Sequence, residues 1–384
     1  MDKLISNIDK IAKNLKEKFV SKDNIIDVLI IGLIAGENVF LFGPPGTAKS
    51  AIVNELANLI NGKTFEYLLT KFTEPNELFG PFDIRKLKEG ELITNTAGML
   101  PEANFIFLDE LLNANSSILN SLLMVLNEKV FRRGQELKKL PILMTVGASN
   151  HLPEDEALQA LFDRFLLRVN SDNVSADFLL NVLDSGWELE KNRTKKDILE
   201  KKETYISIED LFLIQKQIFS IDLTMIKNEY LKLIQNLKNS GIVISDRRAV
   251  KLQKLISASA LICNRKEAII SDLWVLKYIW DNQEQIEIIE NLVDSVINQF
   301  SEENNIHHPR AFIKDNPNPD EILKDILALK EKWDDINTSL EDKAIIKDKL
   351  RHLNGRIYWI KNQTQKIYLE EEINNFWNKI ILEN

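Results

Sequence analysis

One eight-residue stretch, Gly43-Pro44-Pro45-Gly46-Thr47-Ala48-Lys49-Ser50, constrains this chain more than any other. It follows the apolar run Val39-Phe40-Leu41-Phe42 and precedes helical spacing at Ile52, Val53, Leu56, Leu59 and Ile60. That order describes a buried strand, a tight loop and a helix. In such a loop the backbone N–H groups turn inward around phosphate oxygens, and the helix directs its positive end at them. The phosphate-loop pattern is Gly, four residues, Gly-Lys-Ser/Thr, and it is met here with one substitution, Ala48 for the second glycine. Ala48 is expected to take helical dihedrals at the helix start, where its methyl leaves the cradle open. Lys49 is expected to reach the β- and γ-phosphates of ATP, and the Ser50 hydroxyl to ligate Mg²⁺. The predicted nucleotide-binding run extends from Gly43 through Ala51.

Strand-like runs recur at 64–69, 105–108, 143–148 and 165–169, with helical periodicity between them, best seen at Leu119, Leu122, Leu123 and Leu126. Strands alternating with helices predict an α/β domain, a parallel sheet covered by helices on both faces. Two helices, over 4–19 and 24–34, precede the first strand. The strands stop near Ser171, so the expected organisation is an α/β nucleotide-binding domain over 1–172, a linker over 173–205, an all-α lid over 206–300 and a helical C-terminal extension over 301–384. In the lid, Leu252, Leu255, Ile256, Ser259 and Ile262 share one face. In the extension, the stripes Ile322 to Leu340 and Ile346 to Ile360 suggest a helical hairpin or bundle.

Chemistry beyond the loop is carried by two strand ends. Asn104-Phe105-Ile106-Phe107-Leu108-Asp109-Glu110 is an apolar strand closing on two acids. Beside a phosphate loop, Asp109 would hold Mg²⁺ through water, and Glu110 would polarise the attacking water. The bland alternative is a strand ended by solvated acids. Asn150 closes the strand that begins at Leu143, at the edge where parallel sheets bind ligands. It would contact the γ-phosphate or the attacking water, unless it is only a turn-forming asparagine.

Gly-Pro-Pro-Gly-Thr-Ala-Lys-Ser, Phe-Leu-Asp-Glu, Ala-Ser-Asn and Phe-Asp-Arg-Phe together resemble an AAA+ ATPase of the MoxR family, RavA-type. The likeness extends through 65–81, Leu100-Pro101-Glu102-Ala103, 126–134 and Ile244-Ser245-Asp246-Arg247-Arg248, and covers roughly residues 20 to 300. It implies Asn150 as sensor 1, Arg164 as the arginine finger, Arg247 as sensor 2, and insertions around 82–99 and 131–140. It also implies a hexamer and a partner with a von Willebrand factor A domain. The departure is C-terminal, where 301–384 is too short and too helical for the β-rich module of RavA-type proteins.

Each arginine has an alternative. Arg164 lies between a helix and the last strand, where a guanidinium projecting to a neighbour would stabilise phosphoryl transfer; a salt bridge with Asp163 is the plain reading, and Arg168 is a rival finger. Arg247 begins a helix capped by Ser245 or Asp246, with Arg248 one register step away. If Arg247 reaches the nucleotide, hydrolysis is coupled to lid rotation.

Composition narrows the function. Lys+Arg of 49 against Asp+Glu of 58 gives a net charge of -9, which disfavours nucleic acid as a partner. The single cysteine, Cys263, excludes an internal disulfide and is expected to be a buried, inert thiol. His307-His308 is expected on a solvated linker, and Arg132-Arg133 with Lys138-Lys139 as a small basic cluster. No basic-then-apolar leader opens the sequence and no apolar run approaches a membrane span, so a cytoplasmic protein is expected. The leading expectation is a ring-forming, Mg²⁺-dependent ATPase acting on a protein client. The alternatives are a nucleic-acid motor and a nucleotide-dependent assembly scaffold.

Overall fold

The computed structural model describes residues 2–89, 92–133, 136–153, 155–174, 179–195, 204–301, 308, 310–311, 319–334, 343, 346–347, 350, 353 and 363–382. The chain forms two compact units, Met1–Ala311 and Phe312–Asn384.

The larger unit begins with α1 (Asp2–Lys18) and α2 (Asp23–Ala35). The stripe of α1 is buried at Ile5, Ile8, Ile11 and Leu15, as a 3.6-residue period requires. The Walker-type segment follows: β1 (Val39–Phe42), the loop, and α3 (Lys49–Ile60). Next come β2 (Thr64–Leu68), the short α4 (Pro75–Phe79) and α5 (Ile84–Lys88), β3 (Phe105–Asp109) and α6 (Ser116–Glu128). A hairpin, β4 (Val130–Arg133) with β5 (Glu136–Lys139), leads to β6 (Met144–Ser149), α7 (Glu156–Phe162) and β7 (Leu167–Asn170).

Five strands make one parallel sheet in the order β2-β3-β6-β1-β7. Every residue of β6 is buried, which requires cover on both faces. α2 packs on β1 and β7, and α3 packs on β2 and β3. β1 is flanked by the two strands the chain reaches last, so its C-terminal end opens where the connections part, the position such sheets use for ligands.

The two insertions implied by the resemblance lie against each other. Arg133 stands over the Phe82 ring at 3.8 Å and donates to the Gly80 carbonyl at 2.9 Å. Lys138 Nζ donates to Thr96 Oγ1 at 3.2 Å, and the Thr94 N–H to Glu136 at 3.2 Å. Part of the basic cluster is therefore internal bonding.

The segment 173–205, expected as a linker, carries the 17-residue helix α8 (Leu179–Lys195). Leu180, Leu183 and Trp187 on this helix are exposed. The lid comprises α9 (Ile208–Gln217), α10 (Lys227–Asn239), α11 (Asp246–Ile262) and α12 (Glu284–Ser301). The predicted face of α11 is buried at Leu252, Leu255, Ile256 and Ser259. His308 corrects an expectation: it is 4% exposed, lies against Trp274 with ring centroids 5.2 Å apart, and is not solvated. Burial pushes its pKa down to about 4, so it is neutral at physiological pH. His307 lies outside the described residues. Cys263 is half-buried, and burial raises its thiol pKa, which fits an unreactive role.

The smaller unit holds α13 (Pro319–Asp334) and α14 (Gln363–Leu382) around a core of Ile326, Leu329, Trp333, Leu369, Ile373, Phe376 and Ile380, with Ile346, Leu350 and Leu353. Lys330 pairs with Glu372 at 2.6 Å and Asp334 with Lys379 at 2.5 Å. Contacts ascending together along both helices mean that α13 and α14 run the same way; most of the second stripe expected in the hairpin, Ile346 to Ile360, lies outside the described residues. Among the described residues of the whole chain, no helix is long and apolar enough to cross a membrane.

Candidate functional site

The loop after β1 is set by three strand ends. Gly43 N–H donates to the Ser149 carbonyl at 3.0 Å, and Ser171 N–H to the Phe42 carbonyl at 2.7 Å. The sheet ladder thus continues past the strands and fixes where the loop departs. Gly43 has φ +151°, and a Cβ there would run into the Ser171 carbonyl oxygen. Ser171 Oγ also donates to Thr47 Oγ1 at 2.9 Å, and Thr47 Oγ1 donates to the Pro44 carbonyl at 3.1 Å. The sequence reading missed this Ser171–Thr47 brace, because only the sheet brings residues so far apart in the chain together.

Ala48 overturns its expectation. It takes φ 64° and ψ 20°, the left-handed region, directly before α3. A residue with a Cβ costs roughly 1–2 kcal/mol there, which is why glycine is usual. Two neighbouring functions explain why the strain is held: the loop must turn at this residue, and α3 must begin at Lys49.

Lys49 is 7% exposed, and its Nζ donates to the carbonyls of Gly43 at 3.0 Å and Pro44 at 2.7 Å. Burial lowers its pKa, and the carboxylates of Asp109 and Glu110 pull it back up. That pull places the lysine and both acids in one electrostatic neighbourhood. Asp109 ends β3, level with Leu68 of β2, and its Oδ1 accepts the Glu110 N–H at 3.0 Å. Glu110 itself is left-handed, with φ 49° and ψ 42°. Strain of this kind collects at functional positions, and it turns the chain sharply just past Asp109. Asn150 follows β6 and is exposed.

Gly46, Thr47 and Ala48 line a cavity of about 390 Å³ with Phe19, Val20, Lys22, Val174 and Leu179. Lys22 is 7% exposed, donates to the Asp172 carbonyl, and is close enough to Lys49 to lower its own pKa further below its burial-depressed value. Neither Lys22 nor the apolar wall was singled out from sequence; each is remote from any motif.

The arginines stand elsewhere. Arg164 sits on the turn between α7 and β7, held by the buried Phe162 and Phe165, whose rings meet Phe40 of β1 edge-on at 4.9 and 5.7 Å. Such pairs each add about 0.5–1.5 kcal/mol beyond area burial. Asn38 Nδ2 donates to the Arg164 carbonyl at 3.1 Å. The Arg164 Nε is buried with no hydrogen-bond partner. Asp163 does not pair with Arg164; among the described residues its ion-pair partner is Arg168, at 3.9 Å. Arg247 is exposed and donates to Asn127 Oδ1 at 3.4 Å, a weak bond. Arg164 and Arg247 line one cavity of about 550 Å³ together with Asn127, Ser245, Arg248 and Gln285, and none of residues 43–51 lines it.

Arg168 is ruled out as a finger. It is 1% exposed and bonded to lid carbonyls and to Asp281 at 2.6 Å. Burial and the nearby Arg248 pull its pKa down to about 9, which leaves it charged at neutral pH.

A parallel five-stranded sheet with a phosphate loop after β1, an acid pair at the end of β3 with only β6 between the two strands, and an all-helical lid defines a P-loop ATPase of the AAA+ class. Comparison with known proteins specifies it further. The family model described as the MoxR domain in MoxR-vWA-beta-propeller ternary systems matches residues 6–213, more than half of the chain, and an AAA lid domain matches residues 219–293. The chain belongs to the MoxR family of AAA+ ATPases. It is 32% identical to an uncharacterized protein of Methanocaldococcus jannaschii across the whole of both chains. A second uncharacterized protein of that organism is 34% identical over 77% of each chain. The chaperone MoxR1 of Mycobacterium tuberculosis is 26% identical over 43% of this chain and 44% of its own. A crystal structure from Cytophaga hutchinsonii, of a chain provisionally named an ATPase, shares the fold with TM-score 0.60, 19% identity, and coverage of 77% of this chain and 94% of that one.

The residues present fit ATP with Mg²⁺. Among the described residues no group of three His, Cys, Asp or Glu side chains could hold a resident metal. One carboxylate and one hydroxyl, Asp109 and Ser50, instead suit a Mg²⁺ that arrives with phosphates as its other ligands. When bound, the ion neutralises charge on the phosphate oxygens.

Proposed function

We propose that this protein hydrolyses ATP as a ring, without a nucleic-acid track, to remodel a protein client, with a von Willebrand factor A domain protein as its partner. The loop of each subunit binds the phosphates through 43–51, with Lys49 as the point charge. Glu110 holds and polarises the attacking water, and Asn150 orients it. The cavity beside Phe19, Val20, Val174 and Leu179 is wide and apolar enough to take the base of the nucleotide. The family model supports the partner class by its description alone. The motifs support a RavA-type reading of the subtype. The C-terminal unit shows no strand among its described residues, so its partner contacts differ from those of a β-rich module.

The observation that carries the ring is the placement of Arg164 and Arg247 in one cavity that excludes their own phosphate loop. Two cations that line a cavity apart from the phosphate loop of their own subunit are placed to complete a site on a neighbour, and in a closed hexamer every subunit has one. Arg164→Ala subunits should bind ATP and hydrolyse it about 10³-fold more slowly. Mixing them with Lys49→Ala subunits should restore part of the turnover, at interfaces that pair an intact loop with an intact arginine. Absence of rescue in confirmed mixed assemblies would place completion within one subunit. Stimulation of turnover by DNA, with none by protein clients, would overturn the client assignment.

A further inference from the structure

The lid is fastened to the base of its own subunit by a buried cation. Arg168 of β7 donates through Nη1 to the carbonyls of Trp280 at 2.7 Å and Ile279 at 3.2 Å, and to Asp281 at 2.6 Å. Its Nη2 donates to the Phe162 carbonyl at 3.3 Å, and its plane lies 4.1 Å from the Phe162 ring centroid. Asp281 in turn accepts from Arg248 Nη1 with both oxygens at 3.0 Å, and Arg248 Nη2 donates to the Ile279 carbonyl. Farther along α11, Lys251 and Lys254 pair with Glu37 of the base at 3.1 and 2.7 Å, and Glu37 is only 5% exposed.

These bonds hold α11 at its first turn and again one and two turns later. Swinging the lid would strip Arg168 of a carboxylate and two carbonyls and leave its charge buried without compensation, which is strongly unfavourable. Arg247 is the neighbour of Arg248, so the clamp that fixes Arg248 also fixes which way Arg247 leaves the helix. Arg164 is set from the other side, two residues from Phe162, on whose ring Arg168 rests.

We propose that Arg168 and Asp281 are positioning residues for ATP turnover: they lock lid to base so that Arg164 and Arg247 form one preassembled pair, and the movement driven by hydrolysis occurs between subunits instead of between lid and base. This rests on the reading that the two arginines complete a neighbour's site. It reverses the expectation that lid rotation within a subunit reports hydrolysis.

The test uses the full chain. Asp281→Ala should keep its affinity for ATP within twofold and its KM unchanged, while kcat falls about 10²-fold, the scale of an ångström-level misplacement. Asp281→Asn, which still accepts from Arg168 but lacks the charge, should fall between it and wild type. Mixing Asp281→Ala with Lys49→Ala subunits should recover turnover, because the Lys49→Ala neighbours carry intact arginine pairs; a general folding defect would instead lower ATP binding and show no recovery. In a Cys263→Ser background, a short bis-maleimide joining Glu37→Cys to Lys254→Cys should leave turnover at least as fast as before cross-linking. Loss of turnover on cross-linking would overturn the locked lid. Arg164→Ala and Arg247→Ala separate the two ideas. Wild-type turnover in both would sink the trans reading beneath the proposal, whereas slow turnover in both with full turnover in Asp281→Ala would sink the clamp alone.

Discussion

The phosphate loop and the arginine cavity are both cationic, yet they are built in opposite ways. The loop is made from a continuous segment, 43–51, and is braced by backbone bonds from β6 and β7 to its first residues. Its lysine is buried and bonded to carbonyls of the same loop. The arginine cavity has no local motif: it gathers Asn127, Arg164, Arg247 and Gln285 from the base and the lid, through contacts more than a hundred residues apart in the chain. Its cations are less satisfied, with Arg164 Nε unpartnered and Arg247 on one weak bond. A site that must hold a ligand through many cycles is satisfied within itself. On this contrast the loop should govern affinity and the arginines turnover.

The largest effect expected on the loop side tests that division directly. Glu110→Gln should leave ATP binding intact and slow hydrolysis by about 10²–10⁴-fold, since an amide keeps the shape but not the basicity. Single-turnover hydrolysis beside equilibrium binding measures it. If both fall together, Glu110 is structural and the left-handed turn at 110 serves only the fold.

Lys49→Ala should act on affinity, weakening ATP binding about 100-fold or more, the scale of removing one partner from a buried charge-assisted contact. Calorimetric titration with a slowly hydrolysed analogue is the measurement. Affinity near wild type would break the contrast, because the loop would then bind without its charge. Arg247→Ala in the same titration should bind as wild type does.

A smaller effect concerns strain. Ala48→Gly relieves the left-handed cost and adds the flexibility of glycine to the unfolded chain, for a net gain of about 0.5–1 kcal/mol. Urea unfolding should show a raised midpoint with unchanged m. A lowered midpoint would mean that the alanine methyl is packed and not strained.

The smallest expected effect is none. A chain ended at Ala311 should bind nucleotide as the full chain does, because the loop and the arginine cavity are each lined by residues of Met1–Ala311. Loss of binding in a folded product would tie the C-terminal unit to the site.

Most of the sheet was legible because its strands are short apolar runs ended by loops, and β1, β3 and β6 lie where alternation with helices places them. The acids at 109 and 110 were legible for the same reason, since a strand end fixes where its next residues emerge. Ala48 misled because its residue type permits a helical start, and only the loop's path past Ser171 demands the left-handed turn. Arg168 stayed a rival finger in the sequence because a place at the start of the last strand suits a finger and a lid contact alike; Asp281 and the carbonyls at 279 and 280, to which it is bonded, are more than a hundred residues away. His308 looked solvated because its neighbours are polar, while the ring that buries it, Trp274, belongs to another element.

The sequence by itself determined the strand–loop–helix that binds phosphate, the acid pair, and the alternation that makes a parallel sheet, because each depends on residues within one or two turns of chain. Only the tertiary structure decided that Arg168 is buried against Asp281, and that Arg164 and Arg247 line one cavity apart from their own loop. Those outcomes depend on which side chain is left without a partner after packing, and partners are assigned by the fold.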